Sequence, residues 1–200
     1  FYDREVTWYP AKDLIFYQAD IHGNQLVTER MKALRKIIEG KPQTVITTFA
    51  ALMSPQVPLE EIAASVIHID ADSSLNEGEL ARKLAEMGYE KNYQVDAPGQ
   101  FSIRGGIIDI FDLTEENPYR IELWGEEVES IRSFDLLSQR SVEKLNEVDI
   151  YPATEMMLSE EQKEKGLRRI EKEAKEFEEK LRSSFLTEEA HRVKTQIKEL

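Results

Sequence analysis

The sequence predicts a mixed chain in three parts: an incomplete parallel α/β lobe over residues 1–73, a helix with an antiparallel β-sheet over 74–153, and a helical pair over 154–200. Three observations carry this. Strand-like and helical segments alternate through the first seventy residues, apolar residues recur with period two between residues 100 and 134, and beyond Ser159 they step by three and four.

In the first part, Leu26, Arg30, Leu34 and Ile37-Ile38 lie at helical spacing, which predicts a helix over 24–39 closed by Gly40 and Pro42. TVITT at 44–48 reads as a short apolar strand. Ala50, Leu52 and Met53 form a brief helical turn before Pro55 and Pro58, and SVIHID at 65–70 reads as a second strand. Strand, helix and strand in that order suggest part of a parallel sheet, with too few strands to complete one.

The second part opens with Ser74 and, three residues on, Glu77, the form of a capping box. Leu80, Leu84 and Met87 mark one helical face and Gly88 stands where a C-terminal cap belongs. Strands are then predicted over 100–104, 106–111, 119–124 and 127–134, an antiparallel meander with turns at Gly105-Gly106, Asn117-Pro118 and Gly125. In the third part Ser159 and Gln162 repeat the capping-box pattern, and Leu167, Ile170, Ala174, Phe177 and Leu181 form a narrow apolar seam. Ser183-Ser184 interrupt it, and a second helix from Thr187 carries Ala190, Val193, Ile197 and Leu200 inward.

Composition narrows the function classes. A net charge of −13 and a pI near 4.8 argue against a chain built mainly to grip phosphate backbones. The excess lies almost wholly before residue 155, so the helical end reads as a solvated, salt-bridged hairpin rather than a basic arm. Without cysteine there is no disulfide framework, zinc knuckle or thiolate nucleophile, and the cytoplasm is the expected compartment. The opening FYDREVTWYP is neither a signal peptide nor an initiator methionine, as expected of a fragment of something larger.

Catalytic patterns are missing. A phosphate-binding loop needs GxxxxGK[ST], and the single Gly-Lys, Gly40-Lys41, is followed by Pro42, which has no N–H to offer. His22, His68 and His191 lack metal-ligand spacing, and Asp70 and Asp72 read as strand-end and capping residues rather than a Mg²⁺ site. No cofactor is expected in this stretch. What remains is the segment from Phe101 to Trp124: Ile121 and Leu123 alternate with Arg120 and Glu122, so a strand buries the first pair and displays the second. By spacing alone that face serves either a partner or its own cross-strand pairs on a wet sheet.

RGGIIDIFDL, PYRIELWGEEVESIRSFDLLSQRS and VDIYPA resemble domain 2 of the UvrB nucleotide-excision-repair proteins, and more closely the matching module of transcription-repair coupling factors. SFDLLSQRS favours the coupling factors, since UvrB proteins tend to carry Leu-Thr-Gly there. The earlier segments YPAKDLIFYQADIHGNQLVTERMKAL and TVITTFAALMSPQVP are similar to the coupling factors' first UvrB-like domain. The resemblance implies a degenerate, NTPase-like α/β lobe without ATPase motifs, an inserted UvrB domain 2-like sheet that binds UvrA, and a helical subdomain. It further implies a parent protein that displaces stalled RNA polymerase with an ATP-driven DNA translocase outside this stretch, and an intramolecular domain that masks the UvrA-binding face. Carried onto this chain, the UvrA-facing positions are Arg104 in Phe-x-x-Arg-Gly and Arg120 and Glu122 in Tyr-Arg-x-acidic. Trp124 stands where Phe is usual, Lys91 where UvrB has an arginine, and Ser102 in place of another arginine. The competing readings are a DNA-binding fragment of a UvrB-type helicase-like protein, and part of an NTPase whose phosphate loop lies upstream.

Overall fold

A parallel strand pair needs a crossover, and the first lobe supplies one. In the computed structural model, which describes residues 5–11, 19–41, 43–155, 157 and 160–198, β1 (Glu5–Tyr9) and β2 (Gln43–Thr47) run parallel and are joined through α1 (Ala19–Ile38). Tyr9, Met31, Ala33 and Leu34 are buried together with Ala51 and Ile62. Ala51 belongs to α2 (Phe49–Met53), capped by the Thr48 hydroxyl, which accepts the Ala51 N–H at 3.1 Å. Ile62 belongs to α3 (Leu59–Ser65), a helix that sequence reasoning did not foresee because Pro55 and Pro58 read as breaks. Proline is tolerated just ahead of a first helical turn, and Glu60 and Glu61 there complement the helix dipole.

The strand expected near 65–70 forms as β3 (Ile67–Asp70), but it does not extend the parallel sheet. Its partner lies eighty residues away, as described below. The next helix, α4 (Glu77–Glu86), also departs from expectation. Its cap is Asn76, whose Oδ1 accepts the N–H groups of Gly78 and Glu79, both at 3.1 Å. Ser74 instead bridges Glu127, and the Glu77 carboxylate accepts the Gly106 N–H at 2.9 Å, so the Ser74–Glu77 capping box does not form.

Gly88 closes α4 as expected, with φ +87°. A Cβ there would meet Thr154 Cγ2 at 2.7 Å and Thr154 Cβ at 2.9 Å. Gly88→Ala is expected to cost about 1–3 kcal/mol in chemical denaturation, from left-handed backbone strain and this overlap together.

Six strands then form one sheet in sequence order: β4 (Glu90–Lys91), β5 (Gln100–Arg104), β6 (Ile107–Ile110), β7 (Tyr119–Trp124), β8 (Glu127–Phe134) and β9 (Ser141–Leu145). All neighbours are antiparallel except β4 and β5. β10 (Glu147–Ile150) leaves this sheet and pairs antiparallel with β3. One sheet face, with Phe101, Ile108, Ile110, Tyr119, Ile121 and Ile131, is buried in a common core with Leu80 and Leu84 of α4, with Met87 at its C-cap, and with Ile69, Val148 and Ile150. That burial explains why β3 pairs here: Ile69, fully buried, completes the core under the sheet.

Two arginines of α1 fasten the lobe to the segments around the sheet. Arg30, 1% exposed, pairs with both Glu155 oxygens, with Nη2 2.8 Å from Oε2, and donates to the Tyr9 hydroxyl and the Pro10 carbonyl. Arg35 reaches Glu39, Thr114 and Glu115, and its guanidinium lies 4.8 Å from the Tyr151 ring centre.

Residues 158–200 form a separate compact unit. In it α5 (Glu160–Ser183) packs on α6 (Thr187–Lys198) across a short turn with Phe185 at φ 62°. Ala190 is buried, whereas Leu167, Ile170 and Phe177 of the predicted seam remain exposed. Arg168–Glu164, Arg169–Glu173 and Arg182–Glu178 lace the helix surface at i,i+4 spacing. The Ser159 cap and Leu200 lie outside the described residues, as does Pro42.

Candidate partner-binding face

The opposite face of the sheet is built by the register of five strands, β5 to β9. Arg104, Ile107, Glu122 and Ser130 stand directly across from one another, strand to strand. The adjacent row runs Ser102, Asp109, Arg120, Arg132 and Lys144. Period two therefore places Arg104, Arg120 and Glu122 on one face, and Trp124 follows Glu122 by two on the same strand.

The second row puts Arg120 directly opposite Arg132, an unfavourable pairing of like charges. Each arginine turns to a different carboxylate. Arg120 donates from Nε to Asp109 Oδ1 at 2.6 Å and from Nη2 to Asp109 Oδ2 at 2.9 Å, while Arg132 pairs with Glu122. The Asp109 hydrogen bond keeps the Arg120 guanidinium firmly protonated. The Ser130 hydroxyl, 2.7 Å from Glu122, and then Arg132 hold the Glu122 carboxyl below the usual carboxylate range. Arg104 adds its Nη2 to Asp109 Oδ2 at 3.0 Å and lies 5.6 Å from the Tyr93 ring centre.

Exposure separates these groups. Trp124 is 78% exposed and Tyr93 84%, and Ile107 is exposed between Arg104 and Glu122. The side chains of Arg104 and Glu122 are partly covered, at 36% and 28%, and that of Arg120 only 14% exposed. The open display expected for Arg120 gives way to a half-buried one because Asp109, 1% exposed, draws it down and Phe134 lies 4.1 Å beneath its guanidinium. Ser102 falls in the right row but is buried, its hydroxyl donating to the Tyr93 carbonyl at 2.7 Å. Lys91 is exposed on β4 opposite Phe101, outside both rows.

Sequence reasoning missed Asp109, Arg132, Ile107 and Tyr93. Asp109 had a signal, as the polar position of the apolar run IIDIF on a strand of period two. At the β8–β9 end of the rows, Glu122, Ser130, Arg132 and Lys144 line a groove of about 460 Å³ together with Glu129, Ile131 and Ser141. Among the described residues no cluster of His, Asp and Glu is arranged to hold a metal ion, and no helix is long and apolar enough to cross a membrane.

Away from this face, His68 on β3 places Nδ1 2.7 Å from Asp149 Oδ1 and Nε2 3.7 Å from Asp70 Oδ2. The Asp149 hydrogen bond, helped by the charges of Asp149, Glu147 and Asp70, raises the His68 value above the ordinary 6.5. The contact therefore stabilises fully below about 6.5, and its contribution is lost as pH rises through the higher folded value. An NMR titration of His68 is expected to show a midpoint above 6.5 that falls in Asp149→Asn.

Residues 67–156, which contain the whole face, match the family model of the UvrB interaction domain. Over 169 residues the chain is 39% identical to the transcription-repair-coupling factor of Bacillus subtilis, covering 84% of this chain and 14% of that protein. The chain belongs to the transcription-repair coupling factor family. It is 35% identical to the coupling factor of Staphylococcus aureus over 157 residues and 35% identical to that of Myxococcus xanthus over 153, or 78% and 76% of this chain. It spans only 13–14% of the length of these coupling factors. Within the coupling-factor chain, Arg104, Ile107, Glu122 and Trp124 form the accessible part of the face, and Asp109 with Arg120 forms its floor.

Proposed function

We propose that this chain is the UvrA-recruiting module of a transcription-repair coupling factor, acting as a binding surface rather than a catalyst. The observation that carries the reading is an exposed tryptophan beside braced arginine and glutamate side chains, inside the span that matches the UvrB interaction domain. Arginine forks pair with carboxylates and stack on aromatics, and a strand scaffold leaves them little freedom to lose on binding. Trp124 supplies the large apolar anchor that such interfaces centre on.

The proposal divides the chain into a degenerate NTPase-like lobe at 1–73, the UvrA-binding domain at 74–153 and a helical subdomain at 154–200. Lys91 belongs to the UvrA-binding domain as a peripheral position, whereas Ser102, as buried as Asp109, acts only through the Tyr93 backbone that it holds. RNA polymerase engagement, ATP-driven movement on DNA and masking of this face are assigned to other parts of a cytoplasmic parent protein.

The test is capture of purified UvrA by this chain on a biosensor. Trp124→Ala is expected to weaken capture by about 2 kcal/mol, roughly thirtyfold, with an unchanged melting curve because the ring is exposed. Undiminished capture would remove Trp124 from the interface, and no capture by the unmodified chain would end the reading. The DNA-binding alternative instead requires tight, strongly salt-dependent binding of duplex DNA, against a net charge of −13.

A further inference from the structure

The face holds one charged group that cannot itself meet a partner. Asp109 is 1% exposed, yet both arginines converge on it. They do so unequally. Arg120 commits Nε and Nη2 to Asp109, shares Nη2 with Gln139 Oε1 at 3.0 Å, and covers Phe134 with its flat side. Arg104 gives Asp109 only Nη2, at 3.0 Å, and remains 36% exposed.

Resting on the reading of this face as the UvrA-binding surface, we infer that Asp109 is a positioning residue that divides the work of the two arginines. It fixes Arg120 as a buried brace and holds Arg104 by one corner, so that the remaining Arg104 donors are aimed at a carboxylate of the partner. A buried carboxylate deprived of its cations is costly, so this geometry is strongly imposed. Two guanidinium groups on one carboxylate leave a net positive charge, which selects an acidic group on the partner. An arginine already held at one nitrogen also loses less rotamer freedom on binding.

The experiment measures UvrA binding kinetics for Asp109→Asn, Arg104→Gln, their double variant and Arg104→Glu, with melting curves alongside. Folded Asp109→Asn is expected to bind about tenfold more weakly, mainly through faster dissociation. In the Arg104→Gln background the same change is expected to cost less than about twofold, because its effect passes through Arg104. Should Asp109→Asn fail to fold, Asp109→Asn with Arg120→Gln replaces the ion pair by a neutral amide pair and is expected to show the same loss. Full affinity in the folded variant overturns the inference. So does an equal tenfold loss in the Arg104→Gln background. Undiminished binding by Arg104→Glu overturns the placement of UvrA on this face and this inference with it, whereas full affinity in Asp109→Asn beside a loss in Arg104→Glu overturns the inference alone.

Discussion

Arg104→Glu is expected to lower affinity for UvrA by roughly a hundredfold or more while the protein melts nearly as before. The size follows from three changes at one point. The variant removes a charge-assisted donor, places a carboxylate where the partner's own carboxylate should dock, and sets that carboxylate beside Asp109. The fold is spared because the Arg104 side chain is 36% exposed and Asp109 keeps both of its hydrogen bonds from Arg120. Paired biosensor and melting measurements check both halves. Loss of binding with a collapsed melting transition would mean the residue is structural instead.

Glu155→Gln is expected to destabilise the unit containing residues 1–157 by about 3–5 kcal/mol, the cost of leaving a buried charge without its counter-ion. Arg30 is 1% exposed and receives its only described carboxylate from Glu155, so the remaining Tyr9 and Pro10 oxygens cannot neutralise it. Against a total stability of about 5–15 kcal/mol this is a large share. The pair Arg30→Met with Glu155→Leu is expected to recover most of the loss, since apolar replacement of a buried ion pair is often neutral or better. Urea denaturation of the three variants measures it, and a loss below about 1 kcal/mol for Glu155→Gln would show that water reaches the pair.

The sheet was legible wherever one of its faces is buried. Strands predicted at 100–104, 119–124 and 127–134 are observed with those bounds, because alternation is imposed by a core on one side only. β4 and β9 carry weaker signals: β4 is two residues long, and β9 is a largely exposed edge with no apolar alternation to read. β10 does alternate, burying Val148 and Ile150, but four residues were too short a run to be read as a strand. The pairing of β3 with β10 was out of reach for another reason. Its logic is a shared core between residues far apart in the chain, and local pattern holds no record of that. At the start of α4 the capping-box pattern pointed to Ser74, but Ser74 bridges Glu127 and Asn76, two residues on, caps the helix instead.

The same division runs through the site. Sequence alone determined that Arg120 and Glu122 share a face, because side chains alternate along a strand, and that no phosphate loop stands behind them, because the glycines and lysine are not at the needed spacing. Only the tertiary structure decided what each group on that face can do. Asp109 lies across the sheet from Arg120 and withdraws it, leaves Arg104 partly free, and leaves Trp124 and Ile107 open. Accessibility and spare hydrogen-bonding capacity depend on which residues register brings opposite one another, and register is set by the packed sheet.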